Sequence, residues 1–361
     1  MKLANQKPNQ HSIRTTEDLV KNNLISPSKQ TALDPVAEQF SIAITPNMLS
    51  AIKTYDDSDP IYKQFVPTTQ ELHSTTQELS DPIADAAHSP VKGVVHRHPD
   101  RCLFMPVKVC PVYCRFCFRR EKVGRGSESL NSEELEQAYN YIESHPEIWE
   151  VILTGGDPLI LKPHQLASII NRLNSIQSVE VIRIHTRVPI VDPSRVTDDF
   201  IQSIKLPHKP VYIVLHSNHA NEFTAETIEA VKKIADAGIP MLSQSVLLKG
   251  INDNIAALSE LMRTFIRHKI KPYYLHHADL TKGTSHFRTS IEAGQALMRE
   301  LRANFSGICQ PEYVLDIPGG YGKVPVHESY IQTTHATGNN EIIDLKGRRH
   351  DIKMEDQNLN L

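Results

Sequence analysis

The chain has 361 residues, 40% of them hydrophobic and 22% charged, with a formal net charge of −3. That composition is expected of a soluble globular protein, and the charge offers no electrostatic case for nucleic acid or an anionic membrane as partner. No run of about 18 apolar residues occurs, so no membrane span is expected. The opening Met1-Lys2-Leu3-Ala4-Asn5-Gln6 lacks the apolar core of a signal peptide, which points to a cytoplasmic protein with reduced thiols. Residues 1–90 are polar, and their better helical patterns are Leu19 to Leu24 and Pro46 to Tyr55, so they are expected to form a helical, irregular extension.

From about residue 94 the texture changes, and apolar runs of strand length alternate with helical segments. The strand candidates are Leu103–Val109, Val151–Thr154, Val179–Thr186, Val211–His216, Met241–Leu247 and Ile270–Leu275. The last four are β-branched or otherwise apolar for most of their length, as doubly covered parallel strands are. Asn131-Ser-Glu-Glu134 has the form of a capping box, followed by a stripe of Leu135, Tyr139 and Ile142. Ile228, Val231 and Ala235 share a helical face that ends at Gly238. Thr289-Ser-Ile-Glu292 has the form of a second capping box, opening a helix with Leu297 and Leu301. Six strand–helix units predict an α/β fold, a partial parallel (β/α)6 TIM-like barrel with an N-terminal helical extension. The expected divisions are the extension at 1–90, the barrel at 91–310 and a C-terminal lysine loop and tail at 311–361. The polar tail from about Asp344 is expected to fray.

Chemistry concentrates in Cys110-Pro-Val-Tyr-Cys114-Arg-Phe-Cys117, which holds three of the five cysteines. A closed tetrahedral metal site takes four protein ligands, so three leave a position open for a small molecule. A structural zinc site completed by Cys102, Cys309 or a histidine is the competing reading, but nothing nearby stands at ligand spacing. In the barrel reading the cysteines follow the first strand candidate, at the strand ends where such barrels carry their sites. The CxxxCxxC pattern, with an aromatic residue before its last cysteine, resembles the signature of the radical S-adenosylmethionine enzymes. That resemblance implies that Cys110, Cys114 and Cys117 bind a 4Fe-4S cluster. It also implies that S-adenosylmethionine chelates the open iron and is cleaved to a 5′-deoxyadenosyl radical. Thr154-Gly155-Gly156-Asp157-Pro158 is similar to the segment that holds the methionyl ammonium in that family, which assigns Gly155, Gly156 and Asp157 to S-adenosylmethionine. His216, ending its strand candidate, is assigned to the same cofactor.

The second decisive segment is Asp316-Ile-Pro-Gly319-Gly-Tyr-Gly-Lys323-Val-Pro-Val. A Gly-rich loop delivering one lysine suggests a buried amine able to form a Schiff base. Its spacing is not that of a P-loop. Over roughly residues 90 to 335 the chain resembles the lysine 2,3-aminomutase family. The resemblance implies that Lys323 carries pyridoxal 5′-phosphate, that Arg97, Arg101 and Gln244 contact this cofactor, and that Arg119 binds the substrate carboxylate. Asp279 and Asp316 correspond to the acids that hold the ε-ammonium of lysine. The implied reaction is radical 2,3-amino migration converting L-lysine to β-lysine. An electron donor such as flavodoxin or ferredoxin and a homo-oligomeric assembly are expected with it. No cysteine follows Cys309 and Asn254 stands where the longer relatives carry another zinc cysteine, so no zinc is expected. The alternatives are conversion of a lysine on translation elongation factor P, an aminomutase for another amino acid, and a non-catalytic zinc-binding protein.

Overall fold

The computed structural model describes residues 11–124, 129–333 and 340–352. The N-terminal extension folds into four short helices. Helix α1 (Thr16–Lys21) starts at a Thr15–Asp18 capping box, and α2 spans Pro27–Gln39. Helix α3 (Pro46–Ala51) is capped by Thr45, and α4 (Pro60–Phe65) by Asp59, which accepts from the Ile61 and Tyr62 amides at 2.7 and 2.9 Å. Proline at the first turn of α2, α3 and α4 sacrifices no helical hydrogen bond, which explains how three helices begin inside a polar stretch.

The sheet follows. Strand β1 (Val94–His98) runs antiparallel to β2 (Arg101–Val107). Then β3 (Glu150–Gly155), β4 (Val181–Thr186), β5 (Val211–His216), β6 (Met241–Leu247), β7 (Ile270–His277) and β8 (Glu312–Asp316) add in sequence order, each parallel to the last. Strand β9 (Lys323–Pro325) closes the far edge antiparallel to β8. Helices α5 (Ser132–Glu143), α6 (Pro163–Ser175), α7 (Val188–Val191), α8 (Asp198–Ile204), α9 (Ala225–Asp236), α10 (Ile255–Arg267) and α11 (Ile291–Asn304) fill the crossovers. β1 and β9 are the two ends of the sheet and do not pair with each other, so this is the partial barrel expected, with a seventh parallel strand added. A second, three-stranded antiparallel sheet consists of β10 (Ile331–Thr333), β11 (Asn340–Ile343) and β12 (Arg349–Ile352).

One apolar core runs from Ile13 and Leu19 in the extension through the strands to Tyr313 on β8. The extension is therefore packed into the barrel. It is also fastened by charge. Glu71 is 1% exposed and receives Arg115 Nε at 2.9 Å as well as a contact from Arg120, both guanidiniums being buried. Burial opposes ionisation of Glu71, yet the two guanidiniums hold its carboxyl below the usual range.

Four expectations are corrected. β1, β8 and β9 were not visible as strands, because Val-Val-His-Arg-His is mostly polar and the other two are only five and three residues long. The second helix start belongs to Ser290, whose hydroxyl accepts from the Ala293 amide at 3.1 Å, so Thr289 is not the cap and Glu292 does not close a box. The buried face of α9 is Thr227, Ala230, Val231 and Ile234, rotated from the expected stripe because Thr227 donates to the Ile190 carbonyl of α7. The tail from Asp344 is not frayed up to Ile352, since β12 pairs with β11.

Removing one partner of a fully buried ion pair leaves an uncompensated charge. Glu71→Ala should therefore cost about 3 kcal/mol or more in urea unfolding, whereas a loss under about 1 kcal/mol would contradict the buried-charge account.

Candidate active site

Parallel strands in register bring their C-terminal ends to one rim. The cysteine loop leaves β2 there, Gly155 ends β3, His216 ends β5, and His276 and Asp316 lie at the ends of β7 and β8. The cysteine loop is shaped by the extension. The Tyr113 amide donates to Ala43 O and the Arg115 amide to Gln64 O, both at 2.9 Å, and Arg115 Nη1 reaches Ser41 O at 2.7 Å. Cys114 Sγ accepts from Arg187 Nη1 at 2.9 Å. The other end of Arg187 reaches Gln64 Oε1 at 2.6 Å and Glu222 Oε2 at 2.8 Å. Burial works against that charge, but Cys114 and Glu222 raise the Arg187 pKa.

Burial pushes all three thiols up. Cys117 rises to about 11, with Cys114 adding to the burial effect, and Cys110 rises further, with Asp157 adding to it. In Cys114 the Arg187 charge offsets part of the rise. Buried thiols that resist ionisation become strong ligands when a metal supplies the missing positive charge. Among the described residues no trio of His, Cys, Asp or Glu is drawn together for a single ion. A four-iron cube instead spreads three thiolates over separate irons. Three buried cysteine thiols on one loop are the donor type that such a cluster takes.

The segment after β3 behaves differently from its expectation. A Cβ on Gly155 would lie 2.6 Å from Val107 O, and one on Gly156 2.5 Å from Val109 N. Both glycines are required by the close approach of the chain's own residues 105–109, at the end of β2 and just beyond it. Asp157 accepts from Thr186 Oγ1 and the Arg187 amide at 2.7 Å, and from the Leu159 and Val188 amides at 3.1 Å. Its oxygens are satisfied by the ends of β3 and β4, and burial still raises its pKa against those bonds. His216 fits its assignment better. It stacks on Phe116 of the cysteine loop at 5.7 Å, its Nε2 is buried without a partner, and burial with the nearby Arg187 keeps it neutral.

Across the rim lies the lysine loop. Gly319, Gly320 and Gly322 all have positive φ (90°, 83° and 98°), which only glycine adopts at low cost. The turn closes with Ile317 N donating to Gly322 O at 2.9 Å. The resulting register sets Lys323 directly opposite Asp316. Lys323 Nζ donates to Asp316 Oδ2, lies 3.4 Å from His276 Nδ1 and stands 5.5 Å over the Tyr274 ring. Burial opposes the charge on Asp316, but His276 and Lys323 outweigh it and hold the carboxyl far below its usual range. Asp279 is the reverse. Burial, and then the charge of Asp316, raise it to about 7. No donor among the described residues reaches its carboxylate.

Arg119 Nε donates to Asp85 Oδ2 at 2.7 Å, and Arg97 Nη2 donates to Asp85 Oδ1 at 3.0 Å and Ile83 O at 2.7 Å. Arg97 Nε is buried and has no partner among the described residues. His98 lies between Arg97, Arg101 and Lys323; burial first, then those cations, lower its pKa. Each of these three cations is also paired with a carboxylate, Asp85, Asp100 and Asp316 respectively. Arg101 is the most peripheral member, its side chain 36% exposed and paired with Asp100 at 2.7 Å. Gln244 sits in register with His216 and Tyr274, on the inward face of β6. Asn254 caps α10, accepting from the Ala257 amide at 2.9 Å.

The structure adds residues that sequence reasoning missed. His276 stands three residues before Asp279, and the alternation of Tyr274 and His276 on β7 was the available signal. Arg187 and Asp85 offered none, because each acts through a partner distant in sequence. His185, inward on β4, has a buried Nε2 without a partner, and burial and the Arg183 charge keep it neutral.

Asp279 sets a signed pH dependence. The folded chain keeps its proton to about pH 7, whereas the unfolded carboxyl loses it near its ordinary 3.8, so stability falls as pH rises between those values. Without ligands, Asp279→Asn should raise the thermal midpoint at about pH 8 and change it little at about pH 4. An equal change at both would contradict the burial of this acid.

Residues 105–262 match the radical SAM superfamily. L-lysine 2,3-aminomutase of Clostridium subterminale is 39% identical over 319 residues, covering 88% of this chain and 76% of that protein. L-lysine 2,3-aminomutase of Methanococcus maripaludis is 40% identical over 304 residues, covering 84% and 70%. Glutamate 2,3-aminomutase of Clostridioides difficile is 34% identical over 345 residues, covering 96% and 81%. With the cysteine loop at the rim of a parallel barrel and this similarity along most of its length, the chain belongs to the lysine 2,3-aminomutase family of radical SAM enzymes.

Proposed function

We propose that the chain is an L-lysine 2,3-aminomutase that forms β-lysine from free lysine. One observation carries the choice of substrate: an alkylammonium, that of Lys323, is seated on Asp316 near an Asp279 carboxylate that accepts from no donor among the described residues. The Lys323 ammonium stands in chemically for the distal ammonium of a lysine substrate. When Lys323 is engaged with cofactor, Asp316 is released to join Asp279 in holding that distal charge. Two carboxylates away from water favour a cation and disfavour the side-chain carboxylate of glutamate.

The other roles follow from chemistry and place. Cys110, Cys114 and Cys117 would hold the cluster, with His216 and the Gly155–Gly156–Asp157 turn beside S-adenosylmethionine. Lys323 would carry pyridoxal phosphate, with Arg97, Arg101 and Gln244 at its phosphate. When bound, the cluster and S-adenosylmethionine supply a carbon-centred radical, and pyridoxal phosphate supplies a ring over which spin delocalises. Arg119, anchored through Nε, presents its terminal nitrogens as a fork for the α-carboxylate. Arg119 at one end and the two acids at the other fix the substrate's length and direction. Asp279 must be ionised to hold the ammonium, so substrate binding weakens as pH falls below about 7.

The test uses protein purified without oxygen, reconstituted with iron and sulfide, and supplied with pyridoxal phosphate, S-adenosylmethionine, a reductant and an amino acid. β-Lysine from free lysine is expected. Turnover of glutamate, or of elongation factor P without free lysine, would overturn the proposal. Asp279→Ala and Asp316→Ala should each raise the lysine KM by about tenfold or more, the scale of one lost charge-assisted bond. An unchanged KM would refute the pocket.

A further inference from the structure

We propose that Asp85 is a positioning residue, a single buried carboxylate that orients both Arg97 and Arg119 and so couples the cofactor site to the substrate site. The inference rests on the reading above for those two arginines and assigns a role to a residue outside it.

Asp85 is 3% exposed and uses its oxygens separately, Oδ1 for Arg97 and Oδ2 for Arg119. Arg119 is held at Nε and by its guanidinium lying 4.5 Å over the Phe118 ring, and among the described residues its two terminal nitrogens donate to nothing. The grip fixes the plane of the guanidinium and leaves its bidentate edge for a carboxylate. Arg97 is gripped at Nη2 by Asp85 and by Ile83 O, which leaves its buried Nε without a protein partner. One anion between two cations also offsets part of their mutual repulsion at a site that binds two further anions.

The position of Asp85 is itself fixed. Its amide donates to Asp81 Oδ1 at 3.1 Å, its carbonyl accepts from Ser89 Oγ at 2.8 Å, and Asp81 pairs with Lys122 of the cysteine loop at 2.7 Å. Ala84, immediately before it, takes φ 53° to make the turn. The same segment touches the other two substrate elements. Pro82 O accepts from Gly319 N of the lysine loop at 3.1 Å, and Leu79 N donates to Leu280 O, beside Asp279, at 2.8 Å. Residues 79–89 thus form a strap that registers four functional elements against each other, with Asp85 as its charged contact.

The experiment compares Asp85→Asn, Asp85→Glu and Arg119→Lys, and the double variant of Asp85→Asn with Arg119→Lys, in the reconstituted full chain. The readouts are lysine KM and kcat, pyridoxal phosphate affinity from visible absorbance, and the thermal midpoint. Asp85→Asn should raise lysine KM about tenfold and weaken pyridoxal phosphate binding, with kcat changed less than about threefold. Asp85→Glu should restore both affinities to within about threefold of the parent, because the charge is kept. In the double variant the Asp85→Asn substitution should add nothing to the KM of Arg119→Lys. Additive losses, equal impairment of the Asn and Glu variants, or a lowered KM (Asp85 competing with substrate for Arg119) would each overturn the proposal. If Asp85→Asn does not fold, Asp85→Ser enters the same cycle. If Arg119→Lys alone leaves lysine KM unchanged, the carboxylate assignment falls. If it raises KM and Asp85→Asn does not, only the role of Asp85 falls.

Discussion

Charge taken out of water must be compensated, and that constraint organises this molecule from its extension to its rim. Glu71 answers Arg115 and Arg120, Glu222 answers Arg187, Asp85 answers Arg97 and Arg119, and Glu150 answers Arg183 at 2.7 Å. Most of these pairs join segments more than 30 positions apart in the chain, so meeting the electrostatic demand also helps to place the extension and the cysteine loop. The exceptions then become informative. Among the described residues, Asp279, the three raised thiols, Arg97 Nε and His216 Nε2 are some of the buried groups left without full compensation. Arg120, Arg183 and Arg187 also leave a buried Nε without a partner among the described residues, so open groups are not confined to the candidate site.

The parallel sheet supplies the second condition. Because β2 to β8 run the same way, the cysteine loop and the lysine loop emerge on the same side although more than 200 positions separate Cys110 from Lys323. The antiparallel return of β9 then turns Lys323 inward onto Asp316. The extension acts as a brace for this rim, donating Ser41, Gln64 and Glu71 to the cysteine loop and the Leu79–Ser89 strap to the arginines.

Residues whose chemistry is local were legible in the sequence. Cys110, Cys114 and Cys117 declare themselves by spacing, Lys323 by its glycines, and the inner strands by continuous apolar runs. The Asn131 cap was legible because its reciprocal partner Glu134 lies three residues on. What was not legible depends on distant partners. Nothing near Asp85 in sequence indicates two guanidiniums, and nothing near Arg187 indicates Cys114. The glycines of the Gly155–Gly156 turn carried an ambiguous signal, since a glycine needed for close approach looks the same whether a ligand or the chain's own Val107–Val109 approaches it. Likewise nothing in the sequence indicates that the Asp157 carboxylate accepts from Thr186 and three backbone amides.

The central claim is that the thiol loop and the lysine loop serve one substrate in one lumen. It is tested most directly by supplying lysine deuterated at C3 to the reconstituted enzyme and recovering S-adenosylmethionine. A shared lumen predicts deuterium at the 5′ carbon of the recovered S-adenosylmethionine, with the label lost when Lys323 is replaced by alanine. Lysine turnover with no deuterium in the recovered S-adenosylmethionine would contradict the account.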